Sequence, residues 1–331
     1  MMHINSRCRD CKSAKLVKFL DLGSQALANS FVAAENLDKR EPRYPLEVYF
    51  CEDCNLAQLI HVVDKKELFL NYVYFSAGMP RISPHWQRYA EEVMARFLTD
   101  SEDFVFEIAS NDGILLKFFK DKAFRILGVD PAQNIVPIAR SLGVPTLTAF
   151  FTEAVAKDVL QTHGSAKAIL ANNVVAHIDD HHDLCRAVKL LLHPAGVFVI
   201  EAPYLVDMFE NLTYDTVYHE HLSYAAVRPL QTLFQKFGLE IFDVRLVSVQ
   251  GKSLRLFVGH KGAHAMNPSV SELVQKELEY KMDDVQSYFD LAKRIAVSKE
   301  KLVELVRNLK KQGKKIAAYG APAKGNTLLN Y

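Results

Sequence analysis

Four cysteines in two CxxC pairs, Cys8 with Cys11 and Cys51 with Cys54, are the first residues whose type and spacing imply chemistry. Four thiolates around a tetrahedral Zn²⁺ make a closed structural site with no open position for catalysis. In a reducing compartment such paired knuckles favour metal over disulfides. The segment from residue 12 to residue 50 exceeds ordinary zinc-ribbon spacing, so a small subdomain must fold between the knuckles. A second constellation is YHEHLSY, residues 218–224. His219, Glu220 and His221 between two tyrosines suit a network that orients an imidazole and tunes its pKa. Two histidines are too few for a metal site of their own. A third is EIASNDG, residues 107–113. Its small residues let the backbone approach a ligand, and the helix after Gly113 points its N-terminus there. The single glycine argues against the GxGxxG dinucleotide fingerprint and so against NAD.

These residues need a scaffold, and the stretch from residue 104 supplies one. FVFEIA, FRILGVD, PTLTAFF, AKAILANNVV and GVFVIEAP read as strands, with helical segments ILLKFFKD, PAQNIVPIARSLG, EAVAKDVLQTHG and HHDLCRAVKLLL between them. Strict alternation predicts a parallel sheet with helices on both faces, and ligands at the carboxyl ends of its strands. After the helix RPLQTLFQKFG, the strands LEIFDVRLVSV and SLRLFVGH flank Gln250-Gly251, which predicts an antiparallel hairpin. An α/β parallel sheet closed by such a hairpin is the layout of the class I S-adenosylmethionine (SAM) methyltransferase fold. In that layout Asp130, ending the second strand, can accept both ribose hydroxyls of the cofactor. Asn172 and Asn173, ending the fourth, can reach its methionine portion. Asn111 and Asp112 could also merely cap the helix. His177 follows the fourth strand on the same rim. His181 and His182 are expected to begin a surface helix with no role, and Cys185 to sit in the core on an apolar helical face.

Upstream, YPLEVYFC (residues 44–51) reads as a strand feeding the second knuckle and NLAQLIHVV as another. SPHWQRYAEEVMARFL reads as an amphipathic helix begun by Ser83 with Pro84 in its first turn. Downstream, Val285, Tyr288, Phe289, Ala292, Ile295, Ala296, Leu302, Val303, Val306 and Leu309 recur at helical spacing and predict a packing face. KKIAAYGAPAKGNTLLNY then reads as strand, loop and helix start, the beginning of another α/β unit. Lys324, Gly325 and Asn326 fall where a helix N-terminus would follow that strand, a place for a phosphate.

Composition bounds the ligands. The 331 residues carry 40 basic and 39 acidic side chains, a net charge of +1, which gives no electrostatic case for nucleic acid. Hydrophobic residues at 49% and charged residues at 24% fit a globular chain able to bury a sizeable core. No apolar run of about 18 residues predicts a membrane span, and the N-terminus lacks the apolar stretch of a signal peptide. A soluble, cytoplasmic protein is expected.

CRDC, LGSQALANSF, YPLEVYFCEDC, LFLNYVYFS, EIASNDGILL, GVDPAQN, LANNVVAHIDD, YDTVYHEHLSY, GKSLRLF and YGAPAKGNTLLNY, in that order from residue 8 to residue 331, resemble the deoxysugar C-methyltransferase family. Its members methylate C3 of nucleotide-linked 4-keto-deoxysugars. The resemblance implies a zinc-binding module, a SAM domain and a C-terminal α/β domain that helps hold a nucleotide-sugar substrate. It departs from the family in breaking off early in the last of these. The domains are expected at residues 1–70, 71–262 and 263–331, in a monomer or weak homo-oligomer. The resemblance assigns Tyr218, Glu220 and His221 to the catalytic segment, with His221 the base, and Tyr72 and His177 to the other active-site positions. The expected cofactor set is Glu107, Ala109, Ser110, Asn111, Gly113, Asp130, Pro131, Asn172 and Asn173. Two other readings remain at this point: an O- or N-methyltransferase of a small metabolite, and a non-catalytic nucleotide-sugar-binding zinc protein.

Overall fold

The computed structural model describes residues 2–76, 83–249, 251–318 and 322–331. Gln250 of the expected hairpin turn, the end of the NYVYFSAGM segment and residues 319–321 lie outside them.

The N-terminal part contains β1 (Met2–Ile4), β2 (Leu16–Gln25), β3 (Tyr44–Cys51), β4 (Ala57–Leu59) and β5 (His61–Val63), followed by α1 (Lys65–Phe69). β3 has the bounds its alternation predicts. NLAQLIHVV divides into two short strands, β4 in one sheet and β5 paired with β1 in another. α2 (Ser83–Phe97) follows and buries Trp86, Tyr89, Ala90 and Val93, one helical face.

From there strands and helices alternate as β6 (Phe104–Ile108), α3 (Ile114–Lys120), β7 (Arg125–Asp130), α4 (Val136–Ser141), β8 (Thr146–Thr148), α5 (Glu153–His163), β9 (Ala166–Asn172), α6 (His181–Leu191) and β10 (Leu192–Pro203). Next come α7 (Leu205–Asn211), β11 (Ser223–Tyr224), α8 (Val227–Lys236), β12 (Leu239–Val247) and β13 (Ser253–His260). The seven-stranded sheet runs β12-β13-β10-β9-β6-β7-β8. Strands β6 to β10 are parallel, and β13 lies antiparallel between β10 and β12. This is the class I methyltransferase order, closed by the hairpin that the sequence predicts. Side chains alternate across it. Phe106 and Ile108 enter one apolar cluster, while Val105 enters the other with Tyr89 and Val93 of α2.

The N-terminal sheet has the order β11-β4-β3-β2. Its fourth strand is thus made by residues from the end of YHEHLSY, with Ser223 opposite Gln58 and Tyr224 opposite Ala57. The core is continuous across the two sheets: Phe19, Leu20 and Phe50 share a cluster with Phe198 and Ile200 of β10.

Two helices, α9 (Pro268–Glu279) and α10 (Val285–Lys311), precede α11 (Ala323–Asn330). α10 is joined to the N-terminal sheet and to α7 through Tyr288, whose ring lies 4.9 Å from Phe19 of β2, 4.6 Å from Phe50 of β3 and 5.1 Å from Phe209 of α7. The expected packing face exists only over its first half, where Tyr288, Leu291 and Ile295 are buried; Leu302, Val303 and Val306 are exposed. Residues 314–318 form no strand, contrary to expectation: they are exposed and no strand among the described residues pairs with them. A lone extended segment leaves its ladder groups to water and gains nothing as a strand.

Candidate active site

The four cysteines meet as expected. Their sulfurs all lie within 4.8 Å of one another, with Cys8 3.5 Å from Cys54 and Cys11 3.4 Å from Cys51. A tetrahedron with Zn–S bonds of ~2.3 Å has edges of about 3.8 Å, so the donor set fits Zn²⁺. Gln58 donates to the Cys8 sulfur at 3.1 Å. Hydrogen bonds from Cys51 and Cys54 hold the Cys8 thiol below its ordinary pKa.

The residues between the first two cysteines reach out of the module. Buried Arg9 donates to Gln58, to the Leu59 carbonyl and, at 3.1 Å, to Asp179. Asp10 receives the His181 Nδ1–H at 2.6 Å. His181 is fully buried, and its other nitrogen lies 3.1 Å from the Val175 carbonyl. The expectation of a surface histidine without a role is therefore corrected: the N-terminal knuckle, which sequence periodicity could not see, covers this end of α6. Cys185 is in the core as expected.

A cavity of about 1300 Å³ opens at the carboxyl ends of the parallel strands. Ala109, Asn111, Asp130, Pro131, Asn172 and Asn173 line one end of it. The backbone here is unusual: Ala109, Asn111 and Asn173 hold φ of 54°, 51° and 53°. Non-glycine residues in this region cost energy and cluster at ligand sites. Asp130 receives the Asn111 amide at 2.9 Å and the Ala132 amide at 2.8 Å, one on each oxygen. Burial nevertheless raises its pKa. The Asn173 side-chain oxygen is buried without a partner. An anchored carboxylate and an orphaned buried amide fit the ribose and polar tail of SAM.

Glu107, Ser110 and Gly113 do not line the cavity. Glu107 shares the α2 face of the sheet with Val105, and burial raises its carboxyl well above the usual range. Ser110 sits against Gly128, where an added Cβ would come within 2.2 Å of its hydroxyl oxygen. Gly113 is the left-handed N-cap of α3, and a Cβ on it would meet Val144 at 2.9 Å. These three shape the turn from behind.

The other end of the cavity collects Tyr72, His177, Tyr218, Glu220, His221 and Lys324. The chain turns through Tyr218–His221, closed by the His221 amide on the Tyr218 carbonyl at 2.9 Å. The turn separates the histidines. His219 points to the Tyr44 carbonyl at 3.2 Å. His221 Nδ1 lies 2.7 Å from the Thr216 carbonyl, which can only accept, so Nδ1 carries the proton. Nε2 then accepts from the Tyr218 hydroxyl at 2.7 Å. Burial, with the Lys324 charge adding to it, lowers the His221 pKa to about 4 against the opposing Thr216 hydrogen bond. His177 stacks on Phe69 with centroids 5.4 Å apart and lies 5.1 Å from the His221 ring. Burial holds it neutral too. Glu220 receives Asn29 Nδ2 at 2.6 Å and the Tyr72 hydroxyl at 3.0 Å. Burial raises its pKa against those two bonds.

Of the expected phosphate residues only Lys324 faces the cavity. Asn326 donates to the Ala26 carbonyl at 3.2 Å, and Gly325 packs on Pro322. Thr327 donates to the Val217 carbonyl at 2.6 Å, fixing α11 beside the Tyr218–His221 turn. Asn29 and Phe69 were not singled out from the sequence. Both lie in matching segments, LGSQALANSF and LFLNYVYFS, and membership of those segments was the available signal.

Residues 8–69 match the model of a zinc binding domain, residues 84–244 that of a methyltransferase domain, and residues 248–331 that of a C-methyltransferase C-terminal domain. C-methyltransferase NovU of Streptomyces niveus is 34% identical over 323 residues, 97% of this chain and 77% of NovU. Solved structures are more distant. A SAM-dependent methyltransferase from Anabaena variabilis is 15% identical, covering 54% of this chain and 95% of its own, with a TM-score of 0.41. Magnesium protoporphyrin IX methyltransferase (ChlM) from Synechocystis, with bound SAM, is 12% identical over 58% and 86%, with a TM-score of 0.41. The extent of the match to NovU, over a zinc-module sheet joined to the class I fold, identifies this chain as a member of the SAM-dependent C-methyltransferase family.

Proposed function

We propose that the enzyme methylates C3 of a nucleotide-linked 4-keto-deoxysugar by way of an enolate. The observation that carries this reading is the pairing of Tyr218 with His221 and of Tyr72 with Glu220 on one cavity that also holds Asn111 and Asp130. A ketone acidifies the neighbouring C–H, and carbon becomes nucleophilic only when that proton leaves. His221 Nε2 takes the proton from C3 once Tyr218 turns its hydroxyl away, and the C–H electron pair moves into the C3–C4 bond. The enolate oxygen that develops on C4 needs donors. Tyr72 and His177 sit in the same end of the cavity to provide them. An unperturbed imidazole, with a pKa of about 6.5, is already a weak base for such a carbon acid, so these donors carry much of the stabilisation. When bound, SAM supplies an electrophilic methyl group, held by Asp130 and the Asn111 and Asn173 turns. Lys324 supplies positive charge for the nucleotide diphosphate.

Labelled SAM with a nucleotide-linked 4-keto-deoxysugar should give a product whose new methyl group resides on C3 by NMR. The C3 proton should also exchange with deuterated solvent in the presence of S-adenosylhomocysteine. A label on oxygen or nitrogen, with no exchange at C3, overturns the reading in favour of the O- or N-methyltransferase; no product at all favours the non-catalytic binding protein.

A further inference from the structure

The segment that carries Tyr72, residues 70–76, has little regular structure of its own, and an irregular segment at a cavity must find partners for its backbone groups. They come from two turns at the cofactor end. The Asn134 side chain grips Tyr72 on both sides: its Oδ1 accepts the Tyr72 amide at 3.0 Å, and its Nδ2 donates to the Tyr72 carbonyl at 2.8 Å. The Gln133 amide donates to the Leu70 carbonyl at 2.8 Å. Asn111 repeats the device further along, accepting the Ser76 amide at 3.0 Å and donating to the Tyr74 carbonyl at 3.0 Å. Asn111 is also the residue whose own amide holds Asp130, and Asn134 lies on the turn that begins at Asp130.

We propose that Asn134 and Asn111 clamp the Tyr72 segment to the cofactor turns, so that filling the cofactor end fixes Tyr72 for catalysis. The proposal rests on the catalytic reading of Tyr72 given above. It makes Asn134 a positioning residue: it touches no reacting atom and acts through the phenol that bonds Glu220. Asn134 is exposed, so removing its amide costs the core nothing and the variant folds.

The test has two arms. In hydrogen exchange, S-adenosylhomocysteine should protect the amides of residues 70–76 in the native enzyme, and Asn134→Ala should lose most of that protection while still binding S-adenosylhomocysteine. No protection in the native enzyme, or equal protection in the variant, overturns the clamp. In turnover, misplacing a catalytic group costs up to about 100-fold. Asn134→Ala should lower kcat by about 10- to 100-fold with the KM for SAM little changed, and Asn134→Asp, which keeps the acceptor for the Tyr72 amide, should recover part of the loss. In a Tyr72→Phe background Asn134→Ala should add less than about twofold. Full additivity overturns the inference. If Tyr72→Phe alone turns over normally, the catalytic reading of Tyr72 is what has failed, and the exchange arm still judges the clamp.

Discussion

The two ends of the cavity are built in opposite ways. The cofactor end comes from one stretch, residues 109–173, and is made of turns at the ends of adjacent strands. The substrate end is gathered from residues 29, 69–72, 177, 218–221 and 324, and its chemistry is all side chain. A site cut from one sheet edge is as stable as that sheet. A site gathered from remote segments depends on whatever braces them, which here is the zinc module: Arg9 and Asp10 hold Asp179 and the first residue of α6, His181, a few residues beyond His177, and β4 pairs with β11 beside the Tyr218–His221 turn.

Zinc removal should therefore break one end and spare the other. Structural zinc contributes about 10–16 kcal/mol of folding energy in zinc-finger peptides, so Cys51→Ser or chelation should abolish turnover. S-adenosylhomocysteine affinity, by calorimetry, should stay within about tenfold, since lost packing at one end leaves the β6–β9 turns in place. Equal loss of both would erase the distinction between the ends.

At the substrate end, His221→Ala should lower kcat by roughly 10²–10⁴-fold, the range for a positioned acid–base group, with cofactor affinity unchanged. The pH profile sharpens this. A base must be neutral, and burial lowers the His221 pKa from 6.5 to about 4. In kcat/KM the base form then persists as pH falls through 6.5, and activity drops only near pH 4–5. A decline centred at 6.5 would show an imidazole that is not buried in this way.

At the cofactor end, Asp130→Ala should weaken SAM binding by about 1.5–3 kcal/mol, or 10- to 150-fold, the cost of losing charge-assisted hydrogen bonds. C3 exchange with saturating S-adenosylhomocysteine should persist in that variant, because proton removal belongs to the other end. The smallest effect should be that of His219→Ala. Its imidazole meets the Tyr44 carbonyl rather than the cavity, so about 1 kcal/mol of stability and less than about threefold in turnover should be lost. A large loss in turnover would extend the reacting network through the turn.

Legibility in the sequence follows the same division. The strands of the seven-stranded sheet could be read because each is an apolar run bounded by turn residues, and Asp130, Asn172 and Asn173 could be placed at the cavity because strand ends are where such sheets bind ligands. The cysteine quartet was found by spacing. β11 was invisible, since two residues carry no period and Ser223–Tyr224 is a strand only because β4 lies beside it. His181 was misplaced for the same reason: Asp10, its partner, is remote in the chain. Glu107 does not line the cavity, because position in a motif does not say which face of the strand a side chain takes. Asn29 and Asn134 lie in matching segments, LGSQALANSF and GVDPAQN, but only the distances say what each amide holds.

The pairing of β11 with β4 also sets a schedule for synthesis. All four zinc ligands lie within the first 54 residues, so the ion can be captured while most of the chain is still unmade. The sheet it braces cannot be finished then, because the strand that covers β4 is some 165 residues further on and waits for the whole parallel sheet between. Closing a longer loop adds only about 0.6 kcal/mol per doubling, so the delay is one of time rather than of final stability. During that time β4 presents unpaired amides and carbonyls, and open strand edges of nascent chains are where association begins. A nascent chain halted short of Ser223 would carry a loaded metal site and an unguarded edge together, and the passage of residues 223–224 is the moment at which the module ceases to be sticky.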